Sequence, residues 1–274
     1  MSFVDTLTKE EVKNMGLVSG NIFGFWMFIV WTAVAIFVMN RSRSGQMNVK
    51  LRRIAGMDAV EEAVGRAVEM GKPVHFTPGL GDVVASNAAE TFAGLELLQY
   101  VAGLSAKYDA GLIVTIRQPN VFPLAQESVK QSFMTAGHPD KYQENTVRFI
   151  SSNQDAYTSG VVGILHREKA AANIMAGLFM GESLLLAEAG SQIGAIQIAI
   201  TASTTQLPFF VAACDYTIIG EELFAAGAYV SQNKIKLGGI ATQDYFKLAV
   251  IAVIILGTIF TSMGNPALKN LLIR

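Results

Sequence analysis

Apolar residues crowd into two runs, Ile22–Met39 and Phe246–Met263, and between them apolar and polar positions alternate on shorter periods. Each run holds about 18 residues, which at ~1.5 Å rise per residue comes close to the ~30 Å hydrocarbon core of a bilayer. Both runs are therefore expected to be membrane-spanning helices. The first contains no ionisable residue, and the second has only Lys247 at its edge, where a long stem reaches toward the headgroups. A secretory signal would carry its basic segment ahead of a shorter apolar core. Here Asp5, Glu10 and Glu11 accompany Lys9 and Lys13 ahead of the run, and Arg41, Arg43, Lys50, Arg52 and Arg53 follow it. That excess of positive charge predicts that the following segment stays in the cytoplasm. The expected organisation is an extracytoplasmic tail over 1–21, a span over 22–39, a basic juxtamembrane linker over 40–56, a cytoplasmic α/β domain over 57–245, a second span over 246–263 and an extracytoplasmic tail over 264–274.

Within the middle segment, short β-branched runs alternate with longer helical patterns. Asp58 three residues ahead of Glu61 reads as a capping box opening a helix through Met70, and Gly71-Lys72-Pro73 ends it. Strands are expected at Pro73–Thr77, Leu112–Arg117, Thr146–Ile150, Ala172–Gly177, Ala195–Thr201 and Phe209–Cys214. Helices are expected near Val84–Lys107, Phe122–Ala136, Asp155–Arg167, Glu182–Gln192 and Ile218–Ser231. Strands separated by helices of this length require crossovers, hence a Rossmann-like, mostly parallel sheet of about six strands with helices on both faces. The strand cores LIVTI and IQIAI are nearly continuous apolar runs, as strands covered on both faces should be.

Composition agrees with a membrane-anchored globular domain: 51% of the 274 residues are hydrophobic and 16% charged. A net charge of −1 gives no reason to expect nucleic acid as a partner, and the cations over 41–53 suit topology and anionic lipid better than phosphodiesters. The lone Cys214 cannot form an intrachain disulfide, and its apolar surroundings suit a small buried hydrophobe.

In parallel sheets ligands bind beyond the carboxyl ends of the strands. Those ends are polar here. A tentative ligand set is Thr77, Gly79 and Gly81 after the first strand, Arg117 after the second, Ser151 and Ser152 after the third and Ser203 after the fifth, with hydroxyls and helix N-termini as the binding groups. The same residue types are also ordinary helix N-caps. Gly79-Leu80-Gly81 fails the dinucleotide fingerprint, because Val84 stands where a third small residue is needed and Arg117 where an acid should end the second strand. No phosphate-gripping glycine-lysine-serine/threonine loop follows a strand. His75, His138 and His166 share no metal-ligand spacing, so no metal is expected. Glu182 and Glu188, six apart on one helix, point about 120° apart and form no carboxylate pair; Glu182 and Glu221-Glu222 suit helix N-termini electrostatically. Catalytic residues and cofactors stay unassigned, since no nucleophile, base and orienting group come together.

The segments GMDAVEEAVGRAVEMGKPVHFTPG and GESLLLAEAGSQIGAIQIAITASTTQLPFFVAACDYTIIGEELFAAGAYVS resemble a family of uncharacterised membrane-anchored bacterial and archaeal proteins, over roughly residues 51–260. The resemblance implies a cytoplasmic Rossmann-like domain between membrane helices and carries no catalytic residue. Two function classes stay open. One is a non-enzymatic module at the cytoplasmic membrane face that forms a homo-oligomer or docks protein partners, with Gly94, Gly103 and the patch Ala225–Ala228 allowing close helix contact. The other is a nucleotide- or polar-metabolite-binding sensor or enzyme that uses the strand ends.

Overall fold

A computed structural model describes residues 22–47, 54–231 and 233–263. The two predicted tails, 1–21 and 264–274, and the cations Lys50, Arg52 and Arg53 lie outside the described residues. In chain order the elements are α1 (Ile22–Arg43), α2 (Ala55–Met70), β1 (Val74–Gly79), α3 (Ala88–Tyr108), β2 (Leu112–Ile116), α4 (Phe122–Thr135), β3 (Val147–Phe149), α5 (Gln154–Glu168), β4 (Ala172–Leu178), α6 (Glu182–Gln192), β5 (Ile196–Thr201), α7 (Leu207–Ala213), β6 (Tyr216–Ile219), α8 (Glu222–Ser231) and α9 (Lys234–Ser262). They fall into two units, α1 with α9, and everything from α2 to α8.

The first unit is an antiparallel helix pair. Near the end of α1, Ser42 Oγ donates to the carbonyl of Lys234 at the start of α9, and Trp31 lies against Phe246 with ring centroids 4.8 Å apart. Both helices are long and apolar enough to cross a membrane, with mean hydropathy of 1.5 and 2.0 over their most apolar windows. Helix α9 begins at Lys234, well ahead of the predicted run at Phe246, because Asn233 caps it by accepting from the amides of Ile235 and Lys236. Its 29 residues span about 43 Å.

The second unit is a six-stranded, wholly parallel sheet in the order β3-β2-β1-β4-β5-β6. Side chains alternate across it. Val74, Phe76, Val114, Ile174, Ala176, Ile198 and Ile200 join the core under α2, α3, α4 and α8, while Met175 and Ala199 face Tyr157, Leu165, Leu186 and Phe210 of α5, α6 and α7. Where β1 and β4 meet at the sheet's centre the register shifts between Thr77 and Gly79. Gly79 (φ 74°) and Gly177 (φ 146°) make this possible, because a side chain at either would be strained and would collide with backbone carbonyls of the facing strand.

Four expectations are corrected. The run Phe209–Cys214 is not a strand: Leu207–Ala213 is a short helix with Pro208 in its first turn, and the sixth strand is Tyr216–Ile219. A short apolar run fits a buried strand or helix equally by pattern, and Pro at a helix start is the signal that decides it. The last helix of the domain consequently starts at Glu222 rather than Ile218, which pairs with Ile200 in the sheet. Asp58 is not a cap, since α2 begins at Ala55 and places it in the first helical turn, where negative charge complements the helix dipole. The third helix starts at Ala88, four residues after Val84.

Candidate functional site

In this strand order the connections leave β1 and β4 in opposite directions, and a ligand crevice would open at their carboxyl ends. That place is occupied by the chain itself. Leu80 N donates to the Leu178 carbonyl at 2.8 Å, Leu80 and Phe179 are buried, and Phe179 stacks edge-on against Phe210 at 5.3 Å. Arg117 Nη1 and Gln118 Nε2 both donate to the Leu80 carbonyl, at 3.2 and 3.4 Å, closing the edge from the β2 side.

The candidate ligand residues divide accordingly. Thr77 is fully buried, with its hydroxyl bonded to Tyr157 OH and accepting from Gly79 N. Gly79 and Gly81 are buried, and a Cβ at Gly81 would strike Thr91 Oγ1. Arg117 joins these three through the Leu80 carbonyl. Ser151 Oγ accepts from Asn153 N in its own loop, and Ser152 is exposed. Ser203 bonds to Thr205 at 3.1 Å. Four strand spacings of ~4.8 Å separate the ends of β3 and β5, so Ser151 and Ser203 stand roughly 19 Å apart along the edge, beyond the reach of one small ligand.

Two groupings were not visible in the sequence. The first centres on Glu182, only 3% exposed at the start of α6. Its Oε1 accepts from Met180 N at 2.9 Å and its Oε2 from Gln154 Nε2 at 2.7 Å. Burial pushes the carboxyl above its usual range, against the pull of these bonds and of the Arg117 charge. A helix N-terminus after a parallel strand is where such folds hold phosphate; here the protein's own carboxylate takes the position. Glu182 directly after Gly181 was the available signal.

The second is a buried polar relay across the sheet. His75 on β1, Asn173 on β4 and Gln197 on β5 sit side by side in register. Asn173 Oδ1 can only accept, so His75 Nδ1 donates to it at 2.8 Å, and Nε2 of the neutral ring accepts from Thr115 at 2.9 Å. Asn173 Nδ2 donates on to Gln197 Oε1 at 3.3 Å, and Gln197 Nε2 to the Ala213 carbonyl at 2.9 Å. Burial holds the imidazole neutral, lowering its pKa to about 4, and raises that of Tyr157 to about 12. Each member is satisfied, so the relay fixes strand and helix positions with no free atom for a substrate. Burial likewise lifts the Cys214 thiol to about 12, which favours its protonated form.

Among the described residues no three His, Cys, Asp or Glu side chains are placed to hold a metal. A groove of about 580 Å³ lies elsewhere, between α3 and α4, with Gln99, Gly103, Lys107, Ser128, Gln131 and Ser132 in its lining. Charge is unevenly divided: residues 54–231 carry nine Lys and Arg against eighteen Asp and Glu, and 170–231 carry five acids and no Lys or Arg. No curated protein and no solved structure matches the chain. A family model does match residues 14–272, and the chain belongs to that family, described as a domain of unknown function, DUF6754.

Proposed function

We propose that this protein is a membrane-anchored α/β module that self-associates or docks protein partners at the cytoplasmic membrane face, without catalysis of its own. The observation that carries the reading is the filled carboxyl edge. Leu80, Phe179 and Glu182 occupy the crevice, the phosphate position and the helix N-terminus that a nucleotide would need.

Anchoring is supported by how the two apolar helices treat their polar groups. Thr32, Thr258 and Thr261 each donate their hydroxyl to the carbonyl four residues back, at 2.8 Å, which satisfies them without water as hydrocarbon demands. Asp244 and Lys247 pair at 3.7 Å one turn apart. Orientation is supported by the antiparallel pairing, which puts Lys234 and Lys236 at the same end as Arg41 and Arg43. Four cations at one end favour its cytoplasmic placement. Alkaline carbonate washing of membranes should leave the full chain in the pellet. Protease should digest the domain in inverted vesicles and spare it in intact cells; release without detergent, or digestion from outside, refutes the anchor or its orientation.

One observation favours the metabolite reading. Arg117 Nε is buried without a hydrogen-bond partner, as a group awaiting an anion would be. A ligand at 100 times its Kd adds about 2.7 kcal/mol, so a polar-metabolite panel that raises the melting temperature of the purified chain selects this reading. A panel without effect selects the docking module.

A further inference from the structure

We infer that the end of the helix pair where α1 stops and α9 starts binds the headgroups of anionic phospholipids. This rests on the membrane-anchored reading above and adds to it a lipid class and the side chains that select it. Arg41 and Arg43 in the last turn of α1 and Lys234 at the start of α9 are exposed, and Ser42 Oγ donating to the Lys234 carbonyl brings them to one level. Among the described residues none of these three cations makes an ion pair. The acid of the described helix pair is Asp244, about two turns beyond Lys236 and paired with Lys247. Phe37 lies one turn before Arg41 and Ile36 two turns before Arg43, on the same sides of the helix, and they are 62 and 56% exposed. Each guanidinium thus stands over an uncovered apolar side chain, the order of polarity found where headgroups meet acyl chains.

The arrangement identifies the occupant. Successive residues of a helix turn by about 100°, so Arg41 and Arg43 stand to either side of Ser42, which faces α9. The helices approach closely there, since a Cβ at Gly238 would strike Ser42 and crowd Met39. Lys234 Nζ lies over the turn beyond α1, 3.5 Å from where a Cβ on Gly45 would stand. The cations therefore ring the end of the pair and do not converge on one point. A small anion reaches one of them at a time, and a protein surface covers one flank. A headgroup layer surrounds the pair and meets all three at once. Its phosphates suit arginine, whose planar fork can bind two oxygens together. A lipid of net negative charge gains about fivefold in affinity for each cation near the surface, whereas a choline headgroup brings a cation of its own.

The test uses the full chain in a neutral detergent, given an equimolar mixture of phosphatidylglycerol and phosphatidylcholine with identical acyl chains. Lipid that stays bound through gel filtration is identified by mass spectrometry. Retained phosphatidylglycerol is expected to exceed phosphatidylcholine by about tenfold or more. R41Q/R43Q should cut that excess severalfold and R41Q/R43Q/K234Q should abolish it, with K130Q on α4 unchanged as a control for net charge. The changed positions are exposed, and an unaltered melting temperature in phosphatidylcholine confirms that each variant is folded. Equal retention of the two lipids, or an excess that the triple variant keeps, overturns the inference. So does loss of the excess on adding inorganic phosphate at constant ionic strength, which makes the ligand a free anion. A particle mass of two copies that the triple variant reduces to one also overturns it, giving the cations to the acid-rich domain of a second copy while preserving self-association. A chain that stays in carbonate-washed membranes without lipid preference sinks this inference alone; a chain that washes out sinks the anchor with it.

Discussion

Helix α3 carries two glycines in unlike surroundings, and they should respond to the same substitution with opposite sign. At Gly94 the helix crosses the end of β4, and a Cβ built there would lie within 3.0 Å of the Ala176 carbonyl oxygen and 3.3 Å from its carbon. The obstacle is backbone of a central strand, which cannot turn aside as a side chain can. Overpacking of this kind costs up to about 3 kcal/mol, against which alanine's helix preference returns about 1 kcal/mol, leaving G94A destabilised by about 2 kcal/mol. At Gly103 a Cβ would meet nothing within 4 Å. There only the helix preference acts, so G103A should be stabilised by nearly 1 kcal/mol. For a unit of this size each kcal/mol moves Tm by ~2–4 °C, so the variants should separate by roughly 6–12 °C on either side of the wild type in thermal unfolding of the detergent-solubilised chain. A shift of both in one direction, or a G94A at least as stable as the wild type, would refute the close approach of α3 to β4.

His75 is neutral in the fold with a pKa of about 4 and reverts to about 6.5 on unfolding, so the unfolded chain binds the extra proton between those values. Its contribution is complete above pH ~6.5 and drains away by about 3 kcal/mol toward pH ~4. H75Q, which keeps one donor and one acceptor, should lose that acid sensitivity whatever its baseline in denaturant titrations. Glu182 acts with the opposite sign: its raised pKa means the folded state takes up a proton, so stability falls as pH rises from the ordinary carboxylate range through the raised value, and E182Q should flatten that limb. Asn153 Oδ1 caps α5 by accepting from Ala156 N at 3.0 Å. N153A should cost about 1 kcal/mol and N153D little, as read from Tm.

The sheet was legible because its strands announce themselves. LIVTI and IQIAI are short, β-branched and bounded by Gly or polar turns, and the observed boundaries lie within about two residues of the expected ones for five of the six strands. LPFFVAA failed because seven apolar residues contain fewer than two full helical turns, too few for a period to show. Strand order was not legible, since it depends on which face each crossover takes. The site was legible only as a location. Thr77, Gly79, Gly81 and Arg117 do meet at the centre of the edge, yet their partners Leu80, Tyr157 and Phe179 turn it inward, and no local pattern reveals which side chain fills a space. The relay did leave a trace: His75, Asn173 and Gln197 are the polar interruptions of otherwise apolar strands, at positions that only the pairing register brings into one row.

The mouth of this sheet is lined by its own leucine, phenylalanine and carboxylate. On the docking reading proposed above, its shape needs no visiting molecule to complete it, and swings in metabolite supply would leave it unaltered. A body read in this way is suited to standing duty, as a fixture rather than a gauge.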